Sequence, residues 1–337
     1  MTRSTTSQHG TEPLVPGAAP LRGLGIAAPA GPPASAGRFP DGGAWRLEIP
    51  SVEGPVPLAA VAEEAARLGV PVHRVSQGSG VMMLSDTEIR DMVALCAESD
   101  IELCLFLGPR GTWDIGGGVR SSSGAAGPRA RGYTQLAHCL ADAERAAALG
   151  VRNLLVADEG VLWACHRLRE RAELPGDLRF KVSVLSAPVN PVSFALLGQL
   201  GADSVNVPSD LTVGQVAELR AASPLAMDFY LEAPDDVGGF VRLHDAAELI
   251  RVGAPLYLKL GLRNAPGLYP VGRHLLTAAT ETARERVRRA RLVLDRLDAF
   301  GADLPGPSPR PASALPRPVR LVPVAEAADA EGGPADV

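Results

Sequence analysis

At 337 residues with 46% apolar side chains, the chain can bury a full core and suits one large α/β domain. Its net charge of −5 comes with no basic cluster interleaved with aromatics, which points away from nucleic acid and from an anionic membrane surface. No apolar run approaches the roughly 18 residues of a membrane span, and the N-terminus lacks a charged start followed by a long apolar stretch, so a cytoplasmic protein with no membrane partner is expected. Four cysteines, Cys96, Cys104, Cys139 and Cys165, lie in helix or strand patterns without CxxC spacing and read as buried thiols.

Residues 1–43 are rich in Gly, Pro, Ala and Ser without apolar periodicity, and they are expected to stay disordered. The same holds from residue 303, where PGPSPRPASALPRP leads into a tail of Ala, Glu and Gly. Between them, residues 44–302 repeat one pattern: a short β-rich run, a polar or glycine-bearing loop, then an amphipathic segment. Strands are predicted at 45–49, 70–75, 102–107, 153–157, 180–185, 204–207, 227–232 and 256–261. Helices alternate with them at 58–68, 86–99, 133–149, 161–172, 192–200, 213–222, 240–252 and 275–300. Glycines at 69, 150, 201, 253 and 301 stand where helix C-caps belong. Eight such units predict a (β/α)8 TIM-type barrel; an open doubly wound sheet would need edge strands or a dinucleotide loop that the sequence does not show.

In a barrel, function belongs to the C-terminal strand ends and the loops after them. The chain has 33 basic residues and only two are lysines, Lys181 in RFKVSVL and Lys259 in LYLKLGL. Strand alternation sets both opposite the apolar face, toward the barrel interior. The same parity turns Glu48, Arg74, Ser183, Asn206, Asp228 and Glu232 inward, and puts Arg110, Glu159, Arg263 and Asn264 at or beyond strand ends. Burying so many ionisable groups is costly unless they pair or hold a ligand. Lys259 and Lys181 are therefore candidate bases, Schiff-base amines or substrate anchors, with Glu232, Asp228 and Glu48 as acid and base partners. Arg74, Arg110, Glu159, Ser183, Asn206, Arg263 and Asn264 are candidate substrate contacts.

Among the loops, PDDVGGF holds Asp235 and Asp236, expected to cap the next helix or to meet an arginine such as Arg263. The 108–132 connection, with Arg110, Trp113 and a triple glycine, has the length of a lid. No P-loop, GxGxxG, HExxH or GxSxG motif is present, and no cofactor is predicted. A divalent metal held by Glu48, Glu159 and Glu232 with His73 or His274 is an alternative.

The segment from LLVADEG through KVSVLSAPVNPVSF to LGADSVNVPSDL resembles the peptidase U32 (collagenase-like) family, with Asp158, Gly160, Ser183, Asn190, Gly201, Asp210 and Leu211 at matching positions. The resemblance implies a TIM-type barrel and a hydrolase acting on a small polar or peptide-like substrate. The family's cysteine-bearing signature after a late barrel strand is missing, and EAPDDVGGF stands in its place. The readings left by the sequence are thus a U32-like hydrolase, a lysine-dependent lyase or aldolase, and a non-catalytic ligand-binding barrel, with a homo-oligomer possible in each.

Overall fold

In the first strand, β1 (Trp45–Pro50), every residue is buried although the sequence WRLEIP alternates apolar with charged. Leu47 and Ile49 join the apolar layer beneath the helices, while Arg46 and Glu48 pair with groups on strands across the ring. This double burial belongs to a parallel sheet whose two faces are both covered. The structure, a computed structural model, describes residues 14–26, 28–108, 129–299 and 304–307.

After a short helix, α1 (Ala18–Gly23), and β1, the units run α2 (Pro55–Leu68), β2 (Arg74–Ser76), α3 (Asp86–Glu98), β3 (Glu102–Phe106), α4 (Gly132–Ala148) and β4 (Asn153–Val156). They continue with α5 (Glu159–Glu170), β5 (Arg179–Val182), α6 (Pro191–Gln199), β6 (Ser204–Val207), α7 (Val213–Ala222), β7 (Ala226–Glu232), α8 (Ala246–Gly253), β8 (Leu256–Leu260) and α9 (Leu276–Asp298). Each strand pairs in parallel with the next, and β8 returns to β1 in the register Glu48↔Lys259, closing an eight-stranded barrel. The predicted TIM-type architecture is therefore the observed one. No helix among the described residues is long and apolar enough to cross a membrane.

Local chemistry explains the boundaries. Ser85, Asn190 and Thr212 cap α3, α6 and α7 through reciprocal capping boxes, and Asp158 caps α5. Gly69, Gly150 and Gly201 take the left-handed backbone expected of them, whereas Gly253 is the last residue of α8, with Val216 3.1 Å from where a Cβ would sit. Gly301 lies outside the described residues. β2 begins at Arg74 rather than at 70 because Val70 bonds back to Ala65 at the end of α2 and Pro71 has no N–H for the ladder. β5 stops at Val182, where the Ser183 side chain accepts from Leu185 N and opens a 3₁₀ turn. α8 begins at Ala246, not near 240, because the β7 connection folds back on its strand: Ala233 N donates to Phe240 O and Arg242 N to Leu231 O.

Both ends of the barrel are covered by chain from outside the eight units or between them. At the base, Phe39, from the stretch expected to lack order, packs edge-on against Tyr257 with centroids 5.1 Å apart and lies under the Arg46 guanidinium. Ser35 holds that segment by donating to Ala254 O at 2.5 Å, and Gly37 runs so close that a Cβ would sit 2.4 Å from the same oxygen. At the mouth, the β8–α9 connection crosses the loops after β1 and β2. Tyr269 meets Ser51 hydroxyl to hydroxyl at 2.5 Å, its ring leaves no room for a Cβ on Gly78, and Val271 N donates to Ser79 Oγ at 3.0 Å. Glu53 fixes the loop beneath by accepting from Gly78 N at 2.7 Å and Ser79 N at 3.0 Å. Burial pushes the Glu53 carboxyl above its ordinary value of 4.5 despite these bonds.

Two predictions follow from these contacts. Gly201 has φ +107, and an added Cβ would lie 2.3 Å from the His166 ring, so Gly201→Ala should lower unfolding free energy by about 1–3 kcal/mol. Gly176→Ala, with nothing within 4 Å, serves as the control in the same urea titration. Because the native Glu53 carboxyl binds its proton more tightly than the unfolded one, its ionisation costs stability as pH rises from 4.5 through the native value. Glu53→Gln should lack that decline, seen as urea midpoints that draw level with or overtake the wild type toward neutral pH.

Candidate functional site

The interior of this barrel is a network of charges where branched apolar side chains ordinarily stack. Its lower part joins β1, β2, β3 and β8. Arg46 reaches Glu102 at 3.1 Å and Asp41 at 3.4 Å, and the Tyr257 hydroxyl donates to both Glu102 oxygens at 2.9 and 3.0 Å. Arg74 links this part to the upper one, donating from Nε to Glu102 at 3.0 Å and from Nη1 to Glu48 at 3.0 Å and Asp228 at 2.6 Å, with its guanidinium 3.4 Å over the Tyr257 ring.

The upper part centres on Glu48. Lys181 donates to both of its oxygens and stands 3.4 Å from Asp228. Ser76 donates to Glu48 at 2.7 Å. Lys259 lies 3.5 Å from Glu48, donates to Asn206 Oδ1 at 2.5 Å, and sits 4.1 Å over the Tyr230 ring. Asn206 is itself held by donating to Val207 O and Asp228 O, which leaves its carbonyl oxygen for the lysine. Counting Asp41, the four cations Arg46, Arg74, Lys181 and Lys259 face the four carboxylates Asp41, Glu48, Glu102 and Asp228, so the network balances.

Burial by itself would raise the Glu48 carboxyl, but Lys181, Lys259 and Arg74 hold it well below the usual carboxylate range. Lys181 is pushed below an ordinary lysine by burial, and the neighbouring Lys259 and Arg74 add to that; Asp228 and Glu48 counter only part of it. Burial also raises the Tyr230 hydroxyl, with the Glu48 charge acting in the same direction. Tyr230 is therefore a neutral donor or a ring surface at physiological pH.

The structure brings six of the predicted site residues into contact: Glu48, Arg74, Lys181, Asn206, Asp228 and Lys259. Glu232 lies at the rim instead, accepting from Arg263 N at 3.1 Å and facing Arg289 Nε at 3.1 Å. Arg263 and Asn264 are exposed, and both meet Asp235, the first at 3.5 Å and the second through its N–H at 2.6 Å. The expected partnership of Asp235 with the next loop is thus present. Ser183 is spent on capping its own turn, and Glu159 pairs with Arg129 at the start of α5, away from the network. Arg110, Trp113 and most of the stretch expected to form a lid lie outside the described residues.

Glu48, Glu159 and Glu232 each engage a different cation and do not converge, and His73 is occupied near the base, accepting from Leu47 N at 3.0 Å. Among the described residues no group of three His, Cys, Asp or Glu side chains is placed to hold a metal ion. The four cysteines are buried thiols, and burial pushes Cys104 and Cys165 up to about 12.

Sequence reasoning missed Arg46, Glu102 and Tyr257. The signal was available, since Arg46 and Tyr257 sit two residues before Glu48 and Lys259 and share their parity. It also missed Glu53, Tyr269 and Arg286 at the rim, which loops and a helix supply and for which strand parity offers no guide. The residues that carry the U32 resemblance have structural jobs: Asp158 and Asn190 cap helices, Ser183 caps a turn, Gly201 fits beneath His166, and Asp210 and Leu211 lead into the Thr212 cap.

No family model matches the sequence, and no curated protein matches it. Solved structures similar to it include a U32 peptidase, at 17% identity and TM-score 0.43 over 66% of this chain and 96% of that one. A putative copper homeostasis protein CutC from Streptococcus agalactiae gives 12% identity and TM-score 0.43 over 64% and 98%. A putative lyase/mutase from Burkholderia cenocepacia gives 14% identity and TM-score 0.42 over 79% and 94%. None is near enough to assign a reaction, and the fold rests on the strand pairing of the chain itself.

Proposed function

We propose that the chain is a barrel enzyme of the lysine-dependent lyase or aldolase type, acting through Lys259 on the carbonyl group of a small polar substrate at the C-terminal mouth. The observation that carries this reading is the convergence of three cations, Arg74, Lys181 and Lys259, on the single carboxylate of Glu48. Of the three, Lys259 is the one the network holds least. Its contact with Glu48 is the longest, Lys181 already takes both oxygens of that carboxylate, and Lys259 is 3% exposed where Lys181 and Arg74 are fully buried.

The chemistry follows from what an amine does to a carbonyl. After Lys259 passes a proton to solvent, its amine adds to the carbonyl carbon; protonation of the resulting hydroxyl and loss of water leave a protonated imine, which withdraws electrons from the neighbouring carbon–carbon or carbon–hydrogen bond. Asn206 and the Tyr230 ring orient the amine, and the positive charge of the protonated imine stands beside Glu48 where the Lys259 ammonium stood, so the balance of the network is kept. Hydrolysis of the kind the U32 resemblance implies is the second reading. It is supported by the sequence pattern from Asp158 to Leu211, whose residues cap and turn the chain and do not line the network.

Borohydride reduction in the presence of pyruvate, glyoxylate and short aldehydes tests the first reading by mass spectrometry. A reduced adduct on Lys259 is expected, absent from Lys259→Arg, and turnover of the trapped compound should fall at least about a hundredfold in that variant. An unmodified Lys259 across the whole panel overturns the imine, and stabilisation by one of these compounds without turnover identifies a ligand-binding barrel. Lys181→Met should behave differently. It leaves Glu48 and Asp228 short of a buried partner and should cost about 3–5 kcal/mol in urea unfolding.

A further inference from the structure

Helix α9 carries a guanidinium that the interior network does not use. Arg286 is 2% exposed, its Nη1 donates to Thr282 Oγ1 at 3.2 Å one turn earlier, and its Nε has no hydrogen-bond partner. On two other arginines of the chain the edge formed by Nε and Nη2 grips a carboxylate side-on. Arg67 holds Glu64 this way at 2.9 and 2.5 Å, and Arg251 holds Glu248 at 2.8 and 2.6 Å. No carboxylate among the described residues takes that edge of Arg286.

Its surroundings place it beside the mouth. Tyr269, Tyr230, Glu53 and Glu232 are the neighbours whose fields act most on Arg286, and Tyr230 is the ring that covers the Lys259 amine. Both glutamates are committed elsewhere, Glu53 to Gly78 N and Ser79 N, Glu232 to Arg263 N and Arg289. Burial accordingly outweighs these neighbours and lowers the Arg286 guanidinium below its ordinary value. A buried cation with incomplete compensation is unfavourable on its own and favourable once a planar anion meets its open edge.

From this arrangement we infer that Arg286 is the anchor for the carboxylate of a monoanionic substrate, held side-on through Nε and Nη2 at the rim of the mouth. One unit of charge is what the place can accept. A phosphate dianion would bring a second negative charge next to Glu53 and Glu232, whereas a carboxylate matches the flat two-donor edge. The inference rests on the reading of the mouth as a substrate site and adds the substrate class: a small acid whose reactive carbonyl lies toward Lys259 and whose carboxylate lies toward α9.

The test compares pyruvate, its neutral amide pyruvamide and inorganic phosphate as ligands of the full chain, by calorimetry and by the ¹⁵N–¹H signal of the Arg286 Nε. Pyruvate is expected to bind and to shift that signal, pyruvamide and phosphate to bind at least tenfold more weakly, and Arg286→Met to weaken pyruvate at least tenfold with the circular dichroism of the wild type. Should Arg286→Met not fold, Arg286→Lys and the Nε signal of the wild-type chain carry the same decision. Equal binding of the acid and its amide, preference for phosphate, or an unmoved Nε signal in a pyruvate complex overturns the assignment. The two readings fail separately. Pyruvate binding that depends on Arg286 but leaves no adduct on Lys259 sinks the imine and keeps the anchor, while an adduct indifferent to Arg286 does the reverse.

Discussion

One carboxylate, Glu48, ties the barrel together across its own bore. It receives Arg74 and Ser76 from β2, Lys181 from β5 and Lys259 from β8, so strands on opposite sides of the ring are joined through a single buried group. An apolar barrel interior coheres without direction, but this one is held by bonds whose lengths and angles matter. The cost is desolvation of every participant, and the arrangement is tolerable only because cations and carboxylates are matched along its length. Such a network resists partial change. Loss of one member leaves its partner charged, buried and alone.

On the proposed reading, that coupling lets the same interior residues serve stability and chemistry together. Glu48, Lys181, Asn206 and Lys259 lie in the C-terminal halves of their strands, toward the end where barrels place their reacting groups. Arg46, Glu102 and Tyr257 below them act as ballast that fixes Arg74, and through Arg74 the positions of Glu48 and Asp228. A barrel with an apolar lower layer would leave Arg74 held from one side only.

How much of this was legible in the sequence depended on periodicity. The eight units and their order were readable because each strand and helix repeats its own period and most helices end at a cap or a glycine. Lys181, Lys259, Glu48, Asp228, Asn206 and Arg74 were readable because alternation in a strand buried on both faces leaves only one direction for a charge. Where period gives way to loop geometry, the reading stopped. Glu232 and Glu159 have suitable positions in sequence but are drawn off by Arg289 and Arg129, partners no periodicity reveals. Arg286 occupies a helix position that looks like one more basic residue in ARERVRRARL, and only its burial sets it apart. The U32 resemblance sits on capping residues and glycine turns, the shared grammar of βα units, and such grammar repeats among barrels whatever reaction they run.

The segment around Phe39 gives the domain a boundary that the repeat does not mark. Eight βα units begin at Trp45, yet the charged floor made by Arg46 and Tyr257 is roofed off from bulk water by a residue six positions earlier, in a stretch whose composition suggests a linker. Ring closure and sealing thus fall to different segments: the strands close the ring, and the stretch from Pro32 to Phe39 stops its floor as a plug stops a vessel, tied down where Arg251 donates to Pro32 O and Ser35 to Ala254 O.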